Sequence, residues 1–135
     1  MNVRIVRCLA LLAVGVYGQT SSDSAIQALL DRLAQAENRR DTVAQRELVA
    51  ESAELPTFPE RRPFDERGPA SYKIERIRLI GSDVAVVDAS RIFATSAGGP
   101  VSVPVLFVLK QTREVWRIAL YHMCFNDPAR SRLVP

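Results

Sequence analysis

The sequence predicts an α+β domain in which N-terminal helices pack on an antiparallel four-strand meander. Three observations carry this. Residues 24–54 hold apolar side chains at helical spacing, residues 55–70 hold four prolines, and residues 72–123 divide into four β-rich runs separated by turn residues. Helices that precede a run of strands, rather than alternating with them, point to α+β organisation. One chain of 135 residues is one domain by length, with room for a single core.

The first 18 residues read as an export signal. Arg4 and Arg7 form a basic n-region, Cys8 to Val16 an apolar stretch, and Val16-Tyr17-Gly18 the small-residue site expected before a cut at Gln19. The apolar stretch is too short to span a bilayer. The full chain has a net charge of +3; residues 19–135 carry 16 basic and 15 acidic side chains, so the basicity belongs mostly to the leader. No basic run with interleaved aromatics remains, which argues against nucleic-acid binding. Cys8 leaves with the leader, and Cys124, beside Met123, is then expected as a small buried apolar residue.

The first helix follows from Ser22, Asp23 and Ser24, which offer N-cap oxygens. After them, Ile26, Leu29, Leu30, Leu33 and Ala34 recur at i, i+3, i+4, i+7 and i+8, opposite Gln27, Asp31, Arg32 and Gln35. Asn38-Arg39-Arg40-Asp41 breaks the pattern. Asp41 suits the cap of a second helix from Thr42 to about Glu54, with the sparser apolar set Val43, Ala44, Leu48 and Val49. Pro56, Pro59, Pro63, Gly68 and Pro69 then exclude helix or central strand, so residues 55–71 are expected as a proline-rich loop. Such a loop is either a binding lid or mobile.

The strands are expected at Tyr72–Ile80, Val84–Thr95, Val101–Lys110 and Val115–Met123. Their turns are Gly81-Ser82-Asp83, Ser96 to Pro100, and Gln111 to Glu114. Period-2 alternation puts Val84, Val86, Asp88, Ser90 and Ile92 on one side of the second strand, and Ala85, Val87, Ala89, Arg91 and Phe93 on the other. In the third strand, Val101, Val103, Val105, Phe107 and Leu109 oppose Ser102, Pro104, Leu106 and Val108. Both faces are apolar, so both need cover. The helices cover one, and a second copy of the chain is expected on the other, giving a homodimer. Residues 126–135 form a short tail that begins at Asn126-Asp127-Pro128.

Two helices, an irregular segment and a meander ending in Val115-Trp116-Arg117-Ile118-Ala119 resemble the NTF2-like superfamily, nearest its SnoaL-like and DUF4440-type domains. The resemblance is carried by the helix exit Ala36 to Asp41, the hairpin Gly81 to Val87, and Trp116-Arg117-Ile118, and spans roughly residues 24–124. It implies a cystatin-like cone, a curved sheet wrapped around helices and open at one end to an apolar pocket, within a domain of residues 19–125. Relatives of that kind include isomerases, dehydratases, cyclases and many proteins with no known reaction. One departure stands out: the proline-rich segment occupies the place of the third helix usual in the family.

Candidate chemistry is sparse. His122 is the sole histidine and the natural acid–base group near neutral pH; strict alternation puts it on a face with Trp116, Ile118 and Leu120. Asp88, mid-strand among valines, is the candidate general base, since desolvation raises a carboxylate's pKa. Tyr72, Arg91, Phe93, Phe107, Trp116 and Tyr121 are candidate ligand-binding residues, with Arg117 and Tyr121 alternating against His122. One histidine and no cysteine cluster leave no zinc pattern, and neither a nucleophile elbow nor a phosphate loop is present. No cofactor is expected. The expected function is an exported, periplasmic or extracellular domain that binds a small apolar or amphipathic molecule, or a protein partner. The alternatives are an isomerase, dehydratase or cyclase using Asp88 or His122, and an envelope protein acting through its loop.

Overall fold

The computed structural model describes residues 17–51, 53 and 66–124. The leader residues 1–16, most of the proline-rich segment and the tail lie outside the described residues. Six elements follow in order: α1 (Tyr17–Asn38), α2 (Thr42–Glu47), β1 (Glu66–Ile80), β2 (Val84–Thr95), β3 (Pro100–Thr112) and β4 (Val115–Met123). The four strands form one antiparallel sheet in the order β1-β2-β3-β4, the meander the turn spacing predicts. No helix among the described residues is long and apolar enough to cross a membrane.

Helix α1 lies on one face of the sheet. Ile26, Leu29, Leu30 and Leu33 have no accessible surface, and they share a core with Ala85, Val87, Val105, Phe107, Leu109 and Ile118. The helix begins at Tyr17, five residues ahead of the expected cap at Ser22. It ends where Asp41 N–H donates to the Ala36 carbonyl at 2.9 Å and Arg40 turns to φ +56°. Asp41 then caps α2, as expected, by accepting the Ala44 N–H at 3.0 Å.

The end of α2, the start of β1 and the burial of Cys124 also differ from the sequence reading. Helix α2 stops at Glu47, not near Glu54, because Leu48 to Ala50 pair with the outer edge of the sheet. Ile118 N–H donates to Leu48 O at 2.8 Å and Ala50 N–H to Ile118 O at 2.9 Å, while Arg117 caps the Glu47 carbonyl. These bonds give Leu48 and Ala50 backbone partners on β4 in place of a continued helix. Strand β1 starts at Glu66, six residues early, and includes Gly68 and Pro69. They fit because β1 is an edge strand and its register shifts between Arg67 and Ser71, with Gly68 at φ +77°. Cys124, finally, is exposed rather than buried, just past the end of β4, where its N–H donates to the Pro104 carbonyl at 2.9 Å.

The second central face behaves differently from the first. Along β2, every residue on the helix side from Ala85 to Phe93 is buried and every intervening one is half-buried. Leu120 on β4 is 47% exposed.

Candidate functional site

A register shift in β4 decides which side chains meet. Val108 faces Leu120, yet the next residue, Leu109, faces Ile118, so Ala119 is an extra residue in a β-bulge. Trp116 and Ile118 point at the helix, and beyond the bulge Tyr121 does too. Strict alternation had put Tyr121 on the opposite side from Trp116 and grouped His122 with it. The bulge corrects that assignment: Tyr121 is buried, and His122 is exposed opposite Leu106 on the outer face.

Tyr121 thereby joins a polar cluster on the concave wall. Tyr72 stands beside Arg91 in the β1–β2 ladder, and Phe107 beside Tyr121 in the β3–β4 ladder. Glu37, in the last turn of α1, hangs over them. The Tyr72 hydroxyl donates to Glu37 Oε1 at 2.8 Å and lies 3.2 Å from the Tyr121 hydroxyl. With Glu37 ionised, Tyr72 spends its one proton on the carboxylate and accepts from Tyr121. Arg91 Nη2 lies 3.4 Å from Glu37 Oε2 and 3.1 Å from Glu66 Oε2, and Nη1 lies 2.5 Å from Glu66 Oε1. The guanidinium also sits 5.2 Å from the Phe93 ring centre. Tyr72, Phe107 and Tyr121 pack edge to face, with ring centres 5.0 to 6.4 Å apart.

Burial tunes these groups. Desolvation pushes the Glu37 carboxyl above its ordinary range, against the pull of Arg91 and the Tyr72 hydrogen bond. Desolvation and the charge of Glu37 likewise push Tyr121 up to about 12, and Tyr72 well above a normal phenol. Burial works against the charge on Arg91, but Glu66 and Glu37 outweigh it and hold the guanidinium more firmly protonated than usual. The frame is fixed from outside by Asn38, whose amide closes a two-point clasp on the Ala70 backbone at 2.8 and 2.9 Å.

All six predicted ligand-binding residues, Tyr72, Arg91, Phe93, Phe107, Trp116 and Tyr121, are buried. Trp116 lies in the main core toward the other end of β4, and its indole Nε1 is buried without a hydrogen-bond partner. Asp88 and His122 do not join them. Asp88 is on the outer face, where Arg76 Nε reaches it at 3.1 Å and Arg78 Nη2 at 3.5 Å. Glu37 and Glu66 were missed from sequence. Glu37 had a signal, since it extends the buried stripe Ile26, Leu30, Leu33 by a further turn: a carboxylate on the apolar face of a helix. Glu66 had none. Among the described residues, no group of three histidine, cysteine or acidic side chains is arranged to hold a metal ion. A shallow groove of about 190 Å³ between α1 and α2, with Arg32, Arg39, Asp41 and Glu47 at its rim, lies apart from this cluster.

Solved structures share this fold of helices packed on a four-strand antiparallel sheet. The fold is NTF2-like. An NTF2-like protein of unknown function from Shewanella oneidensis aligns over 76% of this chain and 98% of its own, with TM-score 0.59 and 15% identity. A protein of unknown function from Mycobacterium tuberculosis aligns over 90% and 81%, with TM-score 0.62 and 19% identity. A cystatin-like domain of unknown function from Nostoc punctiforme aligns over 84% of each chain, with TM-score 0.59 and 15% identity. Identities this low establish the NTF2-like fold and nothing about chemistry. No protein-family model matches the chain, and no curated protein does.

Proposed function

We propose that the concave face binds a small amphipathic molecule. Its apolar body lies along the aromatic wall and its polar end meets Glu37, Tyr72 and Tyr121. The observation that carries this reading is the buried cluster of Glu37, Tyr72, Tyr121 and Arg91 beside the apolar core on the helix side of the sheet. A buried ion pair adds little net stability compared with apolar residues of equal volume, whereas perturbed titratable groups converging on an apolar wall mark binding sites. The Glu37–Tyr72 hydrogen bond also favours a second reading, acid–base chemistry of isomerase, dehydratase or cyclase type. In that case Glu37, facing the wall, handles the proton, while Asp88 and His122 lie on the other face.

The wider setting belongs to the same proposal. The leader-like residues 1–18 support export to a periplasmic or extracellular space. The outer face supports a homodimer, with Val84, Val86, Leu106 and Val108 half-buried around Leu120. Four strands about 4.8 Å apart and about a dozen residues long present on the order of 700 Å², close to the roughly 800 Å² per partner of a stable interface.

Thermal unfolding of the full chain with a panel of neutral amphipaths, octanol and 4-ethylphenol among them, tests the binding reading. A saturable rise in Tm with at least one, weakened in Tyr72→Phe, is expected. A flat response across the panel rejects it.

A further inference from the structure

Arg91 is held as a carboxylate receptor is built. Its two terminal nitrogens grip both oxygens of Glu66, at 2.5 and 3.1 Å, the parallel two-point geometry with which arginine receives a planar carboxylate. The guanidinium lies over Phe93, and around that ring Ala70 and Val103 form a small buried apolar cluster separate from the main core. Arg91 and Glu66 side chains are only 6% and 4% exposed.

The two partners are anchored differently. Arg91 is central, with Tyr72 and Val103 as its neighbours on either side in the ladder. Glu66 is the first residue of an edge strand. Between it and the regular part of β1 lie Gly68 at φ +77°, Pro69, which has no N–H to give the ladder, and a break in register. The carboxylate is therefore carried on the irregular start of an edge strand and laid on a residue paired on both sides. Exchanging it for another carboxylate conserves the charge facing Arg91, and Glu37 keeps its own contact with Nη2 throughout.

We propose that Arg91 and Phe93 form a receptor for the carboxylate of a small organic acid with an apolar body, and that Glu66 occupies this receptor in cis until such an acid displaces it. The proposal rests on the reading of the concave face as a ligand site and narrows the ligand to an acid. A competitor within the chain lowers apparent affinity by a factor set by the fraction of time the receptor stands open, one over that fraction. Removing the competitor raises affinity by the same factor.

Isothermal titration of the full chain with sodium octanoate and with octanamide reads this directly. Octanoate is expected to bind the wild type more tightly than octanamide, and Glu66→Gln to bind it at least tenfold more tightly than wild type. Octanamide binding is expected to change less than twofold. Should Glu66→Gln fail to unfold cooperatively, Glu66→Asp, which withdraws the carboxylate by one methylene, is expected to tighten octanoate in the same direction. Octanamide matching octanoate in the wild type, or no gain in octanoate affinity in the folded Glu66 variant, overturns the proposal. If neutral amphipaths still bind and Tyr72→Phe weakens them, the ligand site stands and only the receptor role of Arg91 falls. If neither octanoate nor any neutral amphipath binds, both fall.

Discussion

Inside the sheet one arginine stands between two carboxylates, and outside it one carboxylate stands between two arginines. Arg91 faces Glu37 and Glu66 on the concave wall; Asp88 faces Arg76 and Arg78 on the outer one. Separations are similar, so distance does not distinguish the clusters. Solvent does. The Arg91 and Glu37 side chains are 6% and 8% exposed, against 67% and 33% for Arg76 and Asp88. Two unit charges 4 Å apart interact by about 1 kcal/mol in water and about 4 kcal/mol at an effective dielectric of 20. The inner cluster therefore binds its members strongly and shifts their proton affinities, while the outer one is a screened surface contact.

The largest expected effect comes from removing the inner cation. Arg91→Met keeps much of the side-chain volume but leaves Glu37 and Glu66 buried without their shared counter-charge, which is expected to cost about 3–5 kcal/mol of unfolding free energy. Urea denaturation at neutral pH measures it. A cost under about 1 kcal/mol would make the two faces equivalent and remove the physical basis for treating the inner one as special.

Next in size is the pH dependence that Glu37 imposes. Its folded pKa is raised above the ordinary 4.5, so the folded state holds the proton more tightly than the unfolded chain. The stability this gives is fully present below pH 4.5 and is lost as pH rises through the folded value. The contribution to the slope is at most about 1.4 kcal/mol per pH unit. Glu37→Gln abolishes titration at that position, so its stability is expected to fall less steeply than wild type just above pH 4.5. Denaturation series across pH 4 to 8 compare the slopes; identical slopes would mean that Arg91 cancels the burial of Glu37.

Most of the fold was legible because it depends on local pattern. The stripe from Ile26 to Leu33 and the turns at Gly81 and Gly98-Gly99 repeat signals that a few neighbouring residues suffice to specify. The site was legible only in part, because it depends on where regularity fails. Tyr72, Arg91, Phe93 and Phe107 follow from alternation in strands that keep their register. Tyr121 and His122 exchange faces because Ala119 is extra, and that bulge coincides with a pairing to Leu48 and Ala50 about 70 residues earlier. No local window contains both partners. Glu66 lies next to a proline and a glycine that read as loop, and only the edge position of β1 lets them be strand.

The smallest expected effect is on the outer face, and it tests what covers that face. Asp88→Asn removes a charge from a contact whose arginines are more than half exposed, so water can take over their solvation. The expected change is below about 1 kcal/mol at low salt, and it should vanish toward 1 M NaCl, where the screening length falls to about 3 Å. Sheet-to-sheet association changes that expectation in a definite way. A second copy over Val86, Val108 and Leu120 would strip water from the adjacent Asp88 cluster, and the variant's cost would then rise with protein concentration and resist salt. Unfolding at two concentrations a hundredfold apart separates the cases. A cost independent of both concentration and salt, and as large as that of Arg91→Met, would break the contrast between the faces altogether.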